Sequence, residues 1–434
     1  MTTTRINTPV PGPRSQQLAE RRVAHVSRSV SSLLPVYVES AQGSVLTDVD
    51  GNEFIDFSSG IGVIQFGHQE PAATEAMLAQ TQRFTHTLFT IAPYELYVEV
   101  CRRLNALTPG DFEKKSLLSS SGVEAIENAM KIARAHTRRN SIAVVEHGYH
   151  GRTNLVLGLN YKASPYSDFA GPRPGEIYRA ATSHPYRDGL SGVEAAERAI
   201  AQFTRATNPE NLAALLIEPI QGEGGVVIPA EGYLPALQQW AHEHGIVVVA
   251  DEIQTGLGRT GKMFASEHFD FIPDLVVSAK AIGGGIPLSA VTGRADIVDA
   301  MGPGALSGTF SGNPVGCAAA LTVFDHLETP GTLDYTVKLG EHLRAGLREL
   351  QAEFPAIGDV RGLGALFGIE LVTGTGAPNP DAYRRLNKAA IQRGLIALPG
   401  GSDGHLFRML PAINTPLELI DEGLGILQDA LAQL

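Results

Sequence analysis

The sequence predicts an α/β fold with a large domain built on a central, mostly parallel sheet and a smaller α+β domain. In the middle of the chain, helical segments alternate with short apolar strands, which is typical of a parallel sheet covered by helices. On either side of this region the pattern changes to a meander of strands and to a mixture of helices and strands. We therefore expect a large domain over residues 67–330, and a small domain formed by residues 1–66 together with residues 331–434.

The N-terminal segment is predicted to contain an arm, a helix and an antiparallel meander. Residues 1–13 hold three prolines and are expected to be a mobile arm. A helix is predicted over residues 15–30. Strands with period-2 alternation are predicted over residues 36–39, 45–48 and 53–57.

Short apolar runs mark the strands of the large domain. They lack the alternation of a half-exposed strand, which indicates burial on both faces. They cover residues 116–119, 141–146, 212–218, 245–250, 275–278 and 290–293. In the C-terminal part we expect a long helix up to residue 354, strands within 360–371 and 406–410, a helix over 381–393 and a closing helix.

Composition excludes several classes of protein. The 34 basic and 46 acidic residues give a net charge of -12, which argues against a nucleic-acid surface because phosphate binding needs clustered Lys and Arg. The two cysteines, Cys101 and Cys317, show no metal-ligand spacing, so we expect neither a metal site nor a disulfide framework. The chain has no signal-like apolar core and no apolar run near ~18 residues, so a cytoplasmic protein without a membrane segment is expected.

Lys280 is the first candidate for catalysis. It follows the buried strand over residues 275–278, and three glycines at positions 283–285 leave space for another group to approach the backbone. An amine at a buried strand end loses hydration, which lowers its pKa toward the range useful for Schiff-base chemistry. An ordinary lysine in a turn is the alternative.

Asp251 is the second candidate, because it ends another buried strand over residues 245–250. If the two strands are neighbours, Asp251 and Lys280 lie at the same carboxyl-end edge of the sheet, where open α/β folds bind ligands. The two side chains could form a simple salt bridge. They could also hold opposite ends of a pyridine cofactor, pyridoxal 5′-phosphate, with the lysine at the aldehyde carbon and the carboxylate at the ring nitrogen.

A helix N-terminus offers a site for the phosphate of such a cofactor. Ser121 and Glu124 form the S-x-x-E pattern of a capping box at the start of an amphipathic helix. The box could be purely structural. The N–H groups of Gly122 and Val123, at the positive end of the helix, could equally bind a phosphate.

Four further polar residues lie at strand ends or interrupt a strand. Tyr149 could stack on a pyridine ring, although an aromatic residue at a strand end usually belongs to the core. Arg152 could bind a carboxylate bidentately through two of its guanidinium N–H groups, and Glu223 could act as a gating charge, although both could be ordinary surface residues. Arg408 interrupts an apolar strand, so it must be paired or face a ligand.

The segment 256–262 matches two nucleotide-binding patterns by chance. It fits both G-x-G-x-x-G and G-x-x-x-x-G-K. Met263 replaces the Ser or Thr that a triphosphatase loop needs for magnesium, and Pro273 arrives before a long helix could supply an N-terminus for a pyrophosphate. We therefore reject a dinucleotide enzyme and a triphosphatase.

The sequence resembles the class III, subgroup II aminotransferases of pyridoxal phosphate fold type I, and the resemblance covers nearly everything after residue 30. The similar motifs occur in the family order. They are SSGVEAIENAMKIAR at 120–134, GYHGRT at 148–153, EPIQGEGG at 218–225, ADEIQTGLGRTGKMFA at 250–265 and SAKAIGGGIPLSA at 278–290. Within the family the chain is most similar to the members that act on 4-aminobutyrate.

The resemblance implies a role for each cofactor residue. Lys280 would bond covalently to pyridoxal 5′-phosphate and carry the proton between substrate and cofactor, while Asp251 would keep the pyridine nitrogen protonated. Tyr149 would stack on the ring. Gln254 would hydrogen-bond the 3-oxygen of the pyridine ring. Gly122 and Val123 would hold the phosphate through their N–H groups, and Thr309 would reach the phosphate from the neighbouring subunit. A homodimer with a shared active site, or a higher oligomer, follows.

The resemblance also implies the substrates, 4-aminobutanoate and 2-oxoglutarate, converted in ping-pong order to succinate semialdehyde and L-glutamate. Arg152 would bind the carboxylate of 4-aminobutanoate and the distal carboxylate of glutamate. Arg408 would bind the α-carboxylate of glutamate, and Glu223 would pair with Arg408 when the substrate lacks that group. Ile61 stands where 4-aminobutyrate enzymes carry isoleucine and ornithine enzymes tend to carry tyrosine.

The chain departs from the family pattern at Val123, where relatives often have serine, and at Thr90, where some have glutamine. Three alternatives remain open at this point. The donor could be another ω-amino compound such as 5-aminovalerate, β-alanine or an ornithine-like amine. The protein could be an amino-acid racemase or mutase on the same fold, or a binding module without catalysis.

Overall fold

The computed structural model describes residues 5–162, 164–168 and 170–434. The chain divides into two compact units. The first comprises the residues up to 70 together with 337–434, and the second comprises residues 71–336. The domain boundaries expected from the sequence lie at 66/67 and 330/331.

Strands are numbered in chain order. They are β1 Val38–Gln42, β2 Val45–Asp48, β3 Glu53–Asp56, β4 Lys114–Ser119, β5 Ser141–Val145, β6 Ile177–Ala180, β7 Leu212–Ile217, β8 Val247–Asp251, β9 Leu275–Ser278, β10 Ser289–Arg294, β11 Ile357–Leu363, β12 Leu366–Leu371, β13 Leu395–Ile396, β14 Leu398–Gly400 and β15 Leu406–Met409.

Helices are numbered in the same way. They are α1 Pro13–His25, α2 Pro71–Arg83, α3 Glu95–Leu107, α4 Gly122–Thr137, α5 Asn154–Leu159, α6 Pro185–Asp188, α7 Gly192–Ala206, α8 Tyr233–Glu243, α9 Ala295–Val298, α10 Pro314–Glu328, α11 Thr332–Glu353, α12 Pro380–Ile391 and α13 Leu417–Leu431. Short 3-10 turns cover Pro209–Asn211, Ala265–His268 and Lys280–Gly283.

The second unit is built on a seven-stranded sheet in the order β4-β10-β9-β8-β7-β5-β6. The strands from β9 through β8, β7 and β5 to β6 run parallel, whereas β10 is antiparallel to both β9 and β4. The mostly parallel sheet expected from the apolar runs is therefore present.

Helices cover both faces of this sheet, which explains why its strands are apolar throughout. On β8, Val247 and Val249 pack into a core with α4, while Val248 and Ala250 pack into a second core with α7 and α8. Successive side chains point to opposite faces, so a strand buried on both faces needs an apolar residue at every position.

The first unit contains two four-stranded sheets. The meander β1-β2-β3 is extended by β13, which pairs with β3 in parallel. The other sheet is antiparallel in the order β11-β12-β15-β14. A small core around Phe54, Ile391 and Ile396 packs against the meander.

Three expectations about individual elements were wrong. The first helix ends at His25 rather than near residue 30, because Val26 is already extended and the Ser-rich segment after it has no apolar stripe to bury. The edge strand β6 was missed because it pairs only with β5 and is only partly buried, so it lacks a continuous apolar run.

The third correction concerns the arm. Residues 1–4 lie outside the described residues, but residues 5–12 are fixed on the meander rather than mobile. The carbonyl of Arg5 accepts the N–H of Glu53, and the N–H groups of Asn7 and Thr8 donate to Oδ1 of Asn52 at 2.8 and 2.9 Å. Across the described ranges, no helix is long and apolar enough to cross a membrane.

Candidate active site

Asp251 and Lys280 follow neighbouring parallel strands at the same edge of the sheet. Asp251 is the last residue of β8 and lies opposite Val277 of β9. Lys280 comes three residues after Val277 and begins a 3-10 turn. Its φ of 48° lies in the left-handed region, which is strained for any residue with a side chain. The strand order therefore places Lys280 and Asp251 at the same edge of the sheet.

A histidine holds Asp251 from behind. Nδ1 of His150 lies 2.7 Å from Oδ2 of Asp251, and both side chains are almost completely buried. The backbone N–H of Ile253 donates to the other carboxylate oxygen at 3.1 Å. The backbone of His150 is itself held in place, because its N–H donates to Oδ1 of Asn160. We did not identify His150 from the sequence, although it lies directly in the loop after β5, where polar residues are informative.

Glu218 is a second buried carboxylate near Asp251. The sequence did not lead us to it. It directly follows β7, the strand that lies between β5 and β8 in the sheet, so Glu218 lies at the same edge as His150 and Asp251. Burial raises the pKa of Glu218 to about 7, and the nearby negative charge of Asp251 adds to the rise, while His150 and two backbone N–H groups oppose it. The sequence signal was a glutamate that ends a wholly apolar strand.

The N-terminus of α4 lies against the neighbours of both predicted catalytic residues. A Cβ on Gly122 would lie 2.9 Å from Cδ1 of Ile253 and 3.2 Å from Cβ of Ala279, so a side chain there would require Ile253 to move. Ser121 and Glu124 form the expected capping box. The N–H groups of Gly122 and Val123 occupy the first helical positions, where a helix offers them no internal acceptor. This arrangement suits an anion placed close to Lys280.

Val123 also packs on the loop after β5. A Cβ on Gly151 would lie only 2.6 Å from Cγ2 of Val123, so the valine fills the space that a side chain at position 151 would need. Gly151 has a φ of 133°. The departure from the family serine is therefore accommodated by a tight apolar contact.

Tyr149 and Arg152 form a cluster with Tyr166, which sequence reasoning did not predict. Nε of Arg152 donates to the hydroxyl of Tyr149 at 3.1 Å, and the guanidinium carbon lies 4.5 Å from the centre of the Tyr166 ring. Burial acts to lower the pKa of Arg152, but Tyr149, Tyr166 and the charge of Glu223 outweigh it and raise the pKa. Arg152 therefore remains a cation suited to binding a carboxylate.

Gln254 covers Gly222 on the loop after β7. A Cβ on Gly222 would lie 2.0 Å from Oε1 of Gln254, so this contact requires glycine. Thr309 lies on an exposed loop beside Phe310, whose side chain is 63% exposed.

Ile61 and Arg408 belong to the first unit. Ile61 is 42% exposed and lies within four successive left-handed residues, Ser59 to Gly62, which we call the left-handed turn. Arg408 is buried in β15. The N–H of Leu410, just after β15, donates to the carbonyl of Phe57, just before the turn, at 2.7 Å. The segments that carry Ile61 and Arg408 are thus joined through the backbone.

Among the described residues, no group of three or more His, Cys, Asp and Glu side chains could hold a metal ion. The site residues instead provide an amine, an oriented carboxylate, a helix N-terminus and a cation.

The family model of the class-III aminotransferases matches residues 26–431. The chain belongs to this family. The fold of this class-III aminotransferase is shared with solved transaminases. One is the ornithine aminotransferase of Toxoplasma gondii, described with partial occupancy of PLP at its active site. It is 28% identical to this chain with a TM-score of 0.85, and the match covers 96% of this chain and 94% of that chain.

Two relatives are similar to this class-III aminotransferase along almost their whole length. A 4-aminobutyrate aminotransferase of Mycobacterium tuberculosis is 47% identical over 99% of this chain and 98% of its own. A 5-aminovalerate aminotransferase of Pseudomonas putida is 42% identical over 97% of this chain and 99% of its own.

Proposed function

We propose that this class-III aminotransferase uses pyridoxal 5′-phosphate to transfer the amino group of 4-aminobutyrate to 2-oxoglutarate, giving succinate semialdehyde and glutamate. The observation that carries this proposal is the 47% identity to 4-aminobutyrate aminotransferases over 99% of the chain. The corresponding identity to a 5-aminovalerate aminotransferase is 42%. The longer ω-amino acid is therefore the second candidate donor.

The residues at the sheet edge fit this cofactor. Lys280 supplies the amine for its aldehyde carbon, Asp251 a carboxylate for its ring nitrogen, and Gly122 and Val123 backbone N–H groups for its phosphate. The close packing of Gly122 on Ile253 and Ala279 supports the fit, because these residues lie near Asp251 and next to Lys280 in the chain. When bound, the cofactor supplies an electron-withdrawing ring that stabilises negative charge on the substrate carbon.

Each catalytic residue then has one task. The Nζ atom of Lys280 takes the proton from the substrate carbon that bears the amino group, acting as a general base. Asp251 presents its charge to the ring nitrogen, and His150 with the N–H of Ile253 holds the carboxylate in one orientation. Because Asp251 and His150 are buried, the charge of this carboxylate is little screened by water.

Two substrates of different charge must use the same site in turn. We assign to Arg152 the carboxylate of 4-aminobutyrate and the distal carboxylate of glutamate, and to Arg408 the α-carboxylate of glutamate. Glu223 is the counter-charge for donors that lack an α-carboxylate, since an uncompensated guanidinium in a dry site is costly. Ile61 limits the bulk of the donor.

A homodimer in the cytoplasm is part of the same proposal. Thr309 is assigned to the phosphate bound by the partner subunit, and both Thr309 and Phe310 are exposed on the single chain. Cys101 and Cys317 are free thiols, as expected in a reducing compartment. Light scattering on the holoenzyme tests the dimer, and Thr309→Ala should weaken retention of the cofactor.

A donor panel at fixed 2-oxoglutarate tests the function. We expect 4-aminobutyrate to give the highest kcat/KM, with one glutamate and one succinate semialdehyde formed per donor consumed. A higher kcat/KM for 5-aminovalerate would reassign the donor. Racemisation of an amino acid without any keto-acid acceptor would reject the transaminase altogether.

A further inference from the structure

Glu218 joins two loops that the proposed reaction needs. Its side chain is 6% exposed, just beyond the end of β7. Oε1 accepts the N–H of Tyr149 at 2.8 Å, and Oε2 accepts the N–H of Gly222 at 2.9 Å. The loop after β5 and the loop after β7 are thereby held by the two oxygens of one carboxylate.

Each of these loops carries one charged residue with a role in the proposed substrate binding. In the first, Arg152 follows Tyr149 by three residues and donates to its hydroxyl. In the second, Glu223 directly follows Gly222, whose other side is closed by the Gln254 side chain. Glu223 contributes to the raised pKa of Arg152, so the two charges are close enough to interact. Their spacing therefore depends on what holds the two loops together.

We propose that Glu218 is a positioning residue that sets the spacing between Arg152 and Glu223, and through it the balance between the two substrates. This inference rests on the proposed function. A carboxylate accepts hydrogen bonds on both oxygens, whereas the amide of Gln would turn an N–H₂ group against one of the two backbone donors. Asp keeps the charge but is one methylene shorter, so it cannot reach both loops. Because the site is buried, a lost bond leaves an unsatisfied donor.

The two substrates depend on this spacing to different degrees. Glu223 is needed for 4-aminobutyrate, which lacks an α-carboxylate, and is not needed for glutamate. Displacing the loop that carries Glu223 should therefore penalise 4-aminobutyrate more than glutamate. A purely structural role for Glu218 would affect both substrates equally.

The test measures both half-reactions on the purified holoenzyme, with wild type, Glu218→Gln and Glu218→Asp. We expect the ratio of kcat/KM for 4-aminobutyrate to kcat/KM for glutamate to fall about tenfold in both variants, mainly through KM, as for the loss of one hydrogen bond to a charged group. The cofactor should remain on Lys280. If Glu218→Gln does not fold, Glu218→Asp carries the same test.

Glu252→Gln is the matched control. Glu252 is also buried and accepts two backbone N–H groups, from Ala265 at 3.1 Å and Ser266 at 2.7 Å. These two bonds involve neither the loop after β5 nor the loop after β7. Its substitution should lower stability and leave the substrate ratio unchanged. An unchanged ratio in the Glu218 variants, or an equal shift in Glu252→Gln, would overturn the role of Glu218. Wild-type enzyme that converts glutamate but not 4-aminobutyrate would instead reject the proposed donor.

Discussion

His150 and Asp251 form a buried pair whose Nδ1 and Oδ2 atoms lie 2.7 Å apart. An ionised carboxylate can only accept hydrogen bonds, so Nδ1 of the ring carries the hydrogen. The N–H of Ile253 holds the other oxygen. Asp251 is therefore fixed from two sides before any ligand arrives, as expected for a charge that must act in one direction.

Asp251→Asn should lower kcat by about 10²- to 10³-fold, the range seen when one preorganised electrostatic group is removed. His150→Ala should cost less, about tenfold, because the carboxylate remains but loses its orientation. Single-turnover kinetics with 4-aminobutyrate measure both effects. An Asp251→Asn enzyme with wild-type kcat would exclude the assigned contact with the ring nitrogen.

Ser121→Ala should weaken both the fold and the retention of the cofactor. The loss of a helix N-cap costs about 1 kcal/mol. Ser191→Ala is a close control, because Ser191 and Glu194 form the same capping box at the start of α7. Both variants should lose similar stability in urea unfolding, but only Ser121→Ala should release the cofactor more readily in equilibrium dialysis. Equal retention in both variants would argue against a phosphate at α4.

Glu218 should make the stability of the cofactor-free protein depend on pH. The pKa of Glu218 is raised from 4.5 to about 7, mainly by burial, so between these pH values the folded state binds more protons than the unfolded state. Stability therefore falls as pH rises through this window, by about 3 kcal/mol for a shift of this size. Urea unfolding at several pH values should show that the free energy of unfolding depends less steeply on pH in Glu218→Gln than in wild type. Parallel curves would contradict the raised pKa.

Ile61→Gly should raise the free energy of unfolding by about 1 kcal/mol, because glycine relieves the cost of a β-branched residue at a φ of 64°. Asp56 holds this left-handed turn by accepting the N–H groups of Ser58 and Ser59 at 2.8 and 3.0 Å. Ile61→Ala loses the side chain but keeps the strain, so it should not gain stability. If Ile61 limits donor size, both variants should accept bulkier donors. Unchanged donor preference would reject that role.

Local sequence patterns were sufficient to predict much of the large unit. Strands buried on both faces are continuous apolar runs, so the polar residues at or just after their ends, Asp251 and Lys280, could be identified directly. The capping box at Ser121 is equally local. An edge strand such as β6 has no comparable signal, because only one side of it is paired.

The missed residues depend on relationships that are not local in sequence. His150 and Asp251 are 101 residues apart, and they meet because β5 and β8 belong to one parallel sheet and end at the same edge of it. Glu218 gains its role from the same strand order. The left-handed turn was also missed, because β-branched residues such as Ile61 normally avoid positive φ and nothing in residue preference indicates such a conformation.

The most direct test of the central claim is to reduce the holoenzyme with borohydride and map the modified peptide by mass spectrometry. We expect the cofactor on Lys280 in the resting enzyme, its loss from Lys280 when 4-aminobutyrate is added before reduction, and its return after 2-oxoglutarate. Cofactor on a different lysine, or labelling of Lys280 that 4-aminobutyrate does not change, would contradict the proposed site and reaction.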